Sequence, residues 1–228
     1  MNVLQINIQK EEHWEKLQKP WEFCVGSCHA SRALGADWQE QLARCHRELG
    51  IKRVRFHGLF DDDMSVVLKP MFSQQLHLSF ANIDKIFDFL VSIGMQPFVE
   101  LGFMPEALAS GRNTVFHYKG NTTPPAEYEQ WQWLIESFLQ HMIDRYGREE
   151  VRQWYFEVWN EPNLGGKDSP YGFWSADREE YFRLYQTTAE SIKKIDSRLR
   201  VGGPATSNNA WLPEMIAFCE ENGVPLDF

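Results

Sequence analysis

The chain has 228 residues, is 43% hydrophobic and carries a formal net charge of −9, a composition that suits one sizeable core. It has no Lys/Arg cluster, which argues against nucleic acid or an anionic membrane as partner. No stretch is long and apolar enough to span a bilayer, and residues 1–19 are too polar for a secretory signal, so a cytoplasmic protein is expected.

Residues 1–20 read as a lead-in that packs at the edge of the fold. The first strand is expected over 21–27, where Trp21, Phe23 and Val25 alternate with Glu22 and Cys24 until Gly26 breaks the pattern. A helix follows over 37–49: Trp38, Leu42, Cys45 and Leu49 recur at helical spacing, Asp37 can cap the start and Gly50 closes the end. The second strand, 51–56, ends in His57-Gly58, with Asp61, Asp62 and Asp63 in the loop after it. Ser79 is placed to cap a helix whose apolar face is Ile83, Ile86, Phe87, Leu90 and Ile93.

The third strand, 95–101, carries Glu100 near its tip. The loop 103–125 is longer than a plain connector needs, which points to a functional loop. Thr123 and the two prolines after it are expected to start a helix striped by Trp131, Leu134, Ile135, Phe138, Leu139, Met142 and Ile143. The fourth strand, 154–161, is aromatic and β-branched. Alternation puts Phe156, Val158 and Asn160 on one face and Tyr155, Glu157, Trp159 and Glu161 on the other, and Pro162 ends it. Ser175 is placed to cap the next helix. A short strand at 200–203, a helix at 211–222 and the start of a sixth strand at 225 complete the chain.

Five alternations of strand and helix imply a parallel sheet with helices outside. Cys24-Val25-Gly26-Ser27-Cys28-His29 is not the glycine-rich phosphate loop that a doubly wound nucleotide binder shows after its first strand. The expected strands end instead in Ser27, His57, Glu100, Glu161 and Gly203, and such residues converge in a barrel mouth. The expected class is α/β, a (β/α)8 barrel of the TIM type, incomplete, with about five and a half of its units present over residues 1–228. The four cysteines have no zinc-knuckle spacing and read as reduced, buried thiols. The many aromatics read as core or as a sugar-stacking cleft, and composition alone favours core.

Glu161 is the strongest single residue. A carboxylic acid held against an aromatic strand tip has its charged form disfavoured and can act as a general acid. A loop cap or an arginine pair is the competing role. Asn160 beside it can donate to a substrate hydroxyl.

The run Trp154-Tyr155-Phe156-Glu157-Val158-Trp159-Asn160-Glu161-Pro162-Asn163-Leu164 resembles the acid/base motif of family 39 glycoside hydrolases, the β-xylosidases. Four further blocks match in order: Arg55-Phe56-His57-Gly58-Leu59, Glu100 to Pro105, Tyr118 to Pro125, and Val201 to Ala205. The resemblance implies that Glu161 is the acid/base and Asn160 the partner of the sugar 2-hydroxyl. It also implies that His57, Glu100 and Phe116 line the subsite for the reacting sugar. Their competing roles are a satisfied buried histidine, a structural salt bridge and core packing.

The implied reaction is retaining hydrolysis of β-xylosides or xylo-oligosaccharides by two carboxyls about 5–5.5 Å apart, with no metal or organic cofactor. In this family the nucleophile is a second glutamate at the end of the seventh strand, and no acid after Glu161 has that position here. The chain is therefore expected to be the N-terminal part of a catalytic domain. Alone it is expected to be marginal, inactive or self-associating through unpaired strand edges. A carbohydrate-binding remnant and a uronide-specific exo-glycosidase are the alternative readings.

Overall fold

The computed structural model describes residues 16–71, 75–167, 169 and 171–228. The lead-in at 1–15 lies outside the described residues. Five strands form one sheet: β1 (Val25–His29), β2 (Arg53–His57), β3 (Gln96–Leu101), β4 (Tyr155–Val158) and β5 (Arg200–Gly202). They lie side by side in chain order and every pair is parallel. The main helices are α1 (Ala36–Leu49), α2 (Ala81–Ser92), α3 (Tyr128–Tyr146), α4 (Arg178–Ile195) and α5 (Leu212–Asn222). This is the expected α/β sequence of strand–helix units, an incomplete (β/α)8 barrel of the TIM type.

The period-two alternation sorts the two faces of the sheet. Val54, Phe56, Val99, Leu101, Phe156, Val158 and Val201 are buried in one core with the apolar stripes of the helices. Each such side chain contributes about 1.5–3 kcal/mol relative to an exposed one. The opposite face carries Arg53, Arg55 and His57 from β2, Phe98 and Glu100 from β3, Tyr155 and Glu157 from β4, and Arg200 from β5. The register aligns these positions across strands: Arg55 with Phe98, Phe98 with Tyr155, Tyr155 with Arg200, and Glu100 with Glu157. Charge and aromatic rings are thereby gathered on one side of an otherwise apolar sheet.

Several expected boundaries shift, each for a local reason. The first strand begins at Val25 rather than Trp21, because Pro20–Glu22 forms a 3-10 turn and Pro20 has no backbone N–H to give a ladder. Asp37 lies in the first turn of α1, and Gly35 takes the cap position without a side-chain bond. At α2 the cap position falls to Phe80, again without a side-chain bond, rather than to Ser79. The third helix starts at Tyr128, several residues after the prolines. Ser110 N–H donates to Pro124 O (2.9 Å) and Ala126 N–H to Leu108 O (2.7 Å), which holds that stretch extended. Asp177, not Ser175, caps α4 by accepting from Glu180 N–H at 2.8 Å. Ser175 instead braces the long loop through Thr122, with the two hydroxyls 2.8 Å apart.

The residues after Pro225 are not a full strand, but they run beside β5. Asp227 N–H donates to Val201 O at 2.8 Å and Gly203 N–H to Phe228 O at 3.3 Å. All four cysteines are free, yet only Cys219 is buried and Cys28 is exposed, which corrects the expectation of buried thiols. The reason lies in the sheet: β1 is an edge strand among the described residues and has a neighbour on one side only. No helix among the described residues is long and apolar enough to cross a membrane.

Candidate active site

The polar face ends in a cluster at the C-terminal tips of β2, β3 and β4. Arg55 is its centre. Its Nε donates to both Glu157 oxygens (3.1 and 3.2 Å). Its Nη2 lies 2.9 Å from Glu100 Oε2 and donates to Asn160 Oδ1 at 2.9 Å. His57 Nδ1 meets the same Glu100 oxygen at 2.6 Å. Two carboxylates therefore share one guanidinium, and an imidazole leans on one of them.

Burial opposes the Arg55 charge, but Glu100 and Glu157 outweigh it and hold the cation above its ordinary range. Glu157 responds the other way. Its burial raises its pKa above the ordinary glutamate value despite the attraction of Arg55, and the neighbouring Glu100 adds to the rise. Glu100 has a fully buried side chain, and its Oε1 has no hydrogen-bond partner among the described residues.

Arg55 also fixes the amide of Asn160. A guanidinium has only donors, so it must face the amide oxygen, and the Asn160 NH2 is left directed elsewhere. The alternation expected for the fourth strand put Asn160 opposite Glu157, yet both are held by Arg55. The strand ends at Val158, and Trp159 then adopts a left-handed backbone with φ 69°, which breaks the two-residue period. Buried contacts sustain that conformation: Trp159 Nε1 donates to Phe173 O (2.6 Å), and its ring meets Trp174 and Phe103 edge-on.

Glu161 follows, also left-handed at φ 43°. Its backbone N–H donates to Ala205 O at 2.8 Å, which ties it to the segment after β5. Its side chain is half-buried, and the described residues give its carboxyl neither a hydrogen bond nor an ion pair. Neither the loop cap nor the arginine pair that compete for Glu161 is formed by its carboxyl among these residues.

Phe116 stands in the loop 103–125 with φ 61° and 44% of its surface exposed, so it is not a core residue. Its ring lies 6.2 Å from that of His57 at 18°, and 5.3 Å from Phe173. The base of this loop is set by Asn121, which donates to Gly111 O and accepts from Thr123, each within 2.9 Å. The fold thus brings His57, Glu100, Asn160 and Phe116 together. It carries Glu161, next in the chain to Asn160, toward the end of β5.

Sequence reasoning did not single out Arg55 and Glu157. Both were legible as charged residues at inward-facing strand positions, where an uncompensated charge is costly. A cavity of about 510 Å³ is lined by Asp62, Glu106, Arg112, Thr114, Tyr118, Lys119 and Asn121. None of the five expected site residues lines it. Their cluster lies instead at the tips of β2, β3 and β4, on the polar face of the sheet.

The model of glycosyl hydrolases family 39 matches residues 4–228. The chain is 57% identical over 226 residues to a beta-xylosidase of Caldicellulosiruptor saccharolyticus, covering 99% of this chain and 45% of that protein. It is 30% identical over 176 residues to the alpha-L-iduronidase of Homo sapiens, covering 75% of this chain and 24% of that protein. The structure of a family 39 beta-xylosidase from Caulobacter crescentus superimposes with a TM-score of 0.87 at 41% identity, over 95% of this chain and 47% of that one. The chain spans less than half the length of these relatives, and within that span it belongs to family 39 of the glycosyl hydrolases.

Proposed function

We propose that the protein is a retaining β-xylosidase that releases xylose from xylo-oligosaccharides, with Glu161 as general acid/base. The observation that carries this reading is the Asn160–Glu161 pair. Asn160 is locked by Arg55 with its NH2 free to meet a sugar hydroxyl, and the adjoining carboxyl is unclaimed by any described side chain. His57 and Phe116 form the wall against which the reacting sugar rests, and the buried Glu100 lines the subsite from behind by holding His57 at 2.6 Å.

In the reaction Glu161 gives its proton to the glycosidic oxygen as the bond to the anomeric carbon breaks. A second carboxylate, which the family resemblance assigns to the seventh strand of the barrel, attacks that carbon and forms a glycosyl-enzyme. Glu161, now ionised, takes a proton from water, and the resulting hydroxide displaces the enzyme carboxylate. Xylose leaves with its anomeric configuration retained. Asn160 holds the 2-hydroxyl through both steps.

The similarity to an iduronidase supports a second reading, a uronide substrate. A uronide needs a cation free to meet its carboxylate. At the strand tips described here Arg55 is already committed to Glu100 and Glu157, which favours the uncharged xyloside. The test is Glu161→Gln in the complete enzyme. Xylobiose hydrolysis is expected to fall about 10²–10⁴-fold, with a smaller loss on an aryl β-xyloside whose leaving group needs no proton. Undiminished hydrolysis of xylobiose would falsify the assignment.

A further inference from the structure

A second knot of titratable side chains joins the end of β1 to the loop after β2. His29 is the last residue of β1, and its side chain is almost wholly buried. Its Nε2 lies 3.1 Å from Asp61 Oδ2 and 3.5 Å from Asp63 Oδ1. Its other nitrogen, Nδ1, lies 3.1 Å from Ser31 Oγ. One donor atom from each of the three residues falls within 4.8 Å of the others. Asp61 is only 3% exposed, and its Oδ1 is buried with no hydrogen-bond partner among the described residues. Burial raises the Asp61 carboxyl above its ordinary range, although His29 and the nearby Phe103 backbone favour the charged form.

When Ser31 accepts from Nδ1–H, the Nε2 lone pair faces two carboxylate oxygens. Three lone pairs then converge with no positive centre between them. A proton on Nε2 serves Asp61 and Asp63 only in part, since one N–H is divided between oxygens at 3.1 and 3.5 Å. A cation answers all three. Ligand atoms at about 2.1 Å from a tetrahedral ion stand about 3.4 Å apart, and the 3.1 and 3.5 Å separations match that spacing. One imidazole nitrogen with carboxylate oxygens suits zinc and similar divalent ions, whereas calcium and magnesium favour all-oxygen shells. Ser31 supplies the outer partner that orients a ligating histidine.

We propose that His29, Asp61 and Asp63 bind a divalent cation of the zinc class. It clamps the end of β1 to the β2 loop. It also steadies Tyr118, whose ring lies flat on His29 with centroids 3.7 Å apart and planes 6° apart. Tyr118 in turn touches Phe116, so the clamp supports the aromatic wall of the sugar site. The ion takes no part in glycosyl transfer. The knot and the Arg55 cluster share no hydrogen bond among the described residues.

The experiment is a calorimetric titration of zinc into untagged, chelator-stripped protein, with Asp63→Asn and His29→Gln beside it. Asp63 is 41% exposed, so its variant keeps the fold, which circular dichroism checks. One equivalent is expected to bind, with affinity reduced at least about tenfold in each variant, since even outer partners are worth that much. Cobalt substitution is expected to give visible bands without a thiolate charge-transfer band. Absence of saturable binding, an unchanged affinity in Asp63→Asn, or a thiolate band placing the ion on cysteine each overturns the proposal.

Discussion

Two arginine–carboxylate nodes among the described residues are built in opposite proportions. In the outer layer Asp196, at the end of α4, accepts from Arg148 Nη1 at 2.9 Å and from Arg152 at 2.7 and 2.8 Å. Its other oxygen accepts from Arg198 N–H at 3.0 Å. Two cations serve this one buried acid, Arg152 also reaching the exposed Glu149, and both Asp196 oxygens are bonded. At the strand tips one cation, Arg55, serves two acids, and Glu100 Oε1 is left without a partner.

The acid constants follow the proportions. Burial opposes the Asp196 charge, but Arg148 and Arg152 overcome it and hold the group below the ordinary aspartate value. Glu157 moves upward because burial outweighs its single shared arginine. A node that only fastens helices has no need of surplus acid. On the proposed function the inner node orients groups that meet a sugar and carries that surplus, and structure elsewhere sustains the cost.

The largest break of this contrast is Arg55→Met. It strands two buried carboxylates and is expected to cost about 3–5 kcal/mol in urea unfolding. Asp196→Ala comes next, at about 2–3 kcal/mol, because Arg148 and Arg152 can turn toward water once released. An equal or greater loss at Asp196 would show that the inner node is not the more costly one.

The nodes are also expected to titrate with opposite signs. Asp196 has a depressed folded pKa, so its contribution is full above the ordinary aspartate value and is lost as pH falls through the folded one. Glu157 has a raised folded pKa, so its contribution is full below the ordinary glutamate value and is lost as pH rises through the folded one. Unfolding free energies of Asp196→Asn and Glu157→Gln against wild type, measured from pH 3 to pH 8 in steps, check both slopes; parallel slopes would sink the comparison. The smallest effect is Glu157→Gln at neutral pH, about 1 kcal/mol or less. Arg55 keeps Glu100 and Asn160 there, and the lost ion pair is offset by relief of a strained ionisation.

Much of the site was legible because the residues concerned end strands. His57, Glu100 and Asn160 follow apolar alternating runs, and such tips converge in a parallel barrel. The partnership among them was not legible. Arg55 and Glu157 are 102 residues apart, and only the β2–β3–β4 register brings them together. The helix caps were misread at Ser79 and Ser175 because a capping residue type also suits loop braces, the role Ser175 takes with Thr122.

By itself the sequence determined the alternation of strand and helix, the apolar face of each, and the family, since these rest on short-range periods and local motifs. The tertiary structure alone decided which charges share a partner. It turned Trp159 and Glu161 left-handed, tied Glu161 to Ala205, and brought His29 to Asp61 across 32 residues. Those outcomes depend on contacts between distant segments, whose geometry exists only once the sheet has assembled.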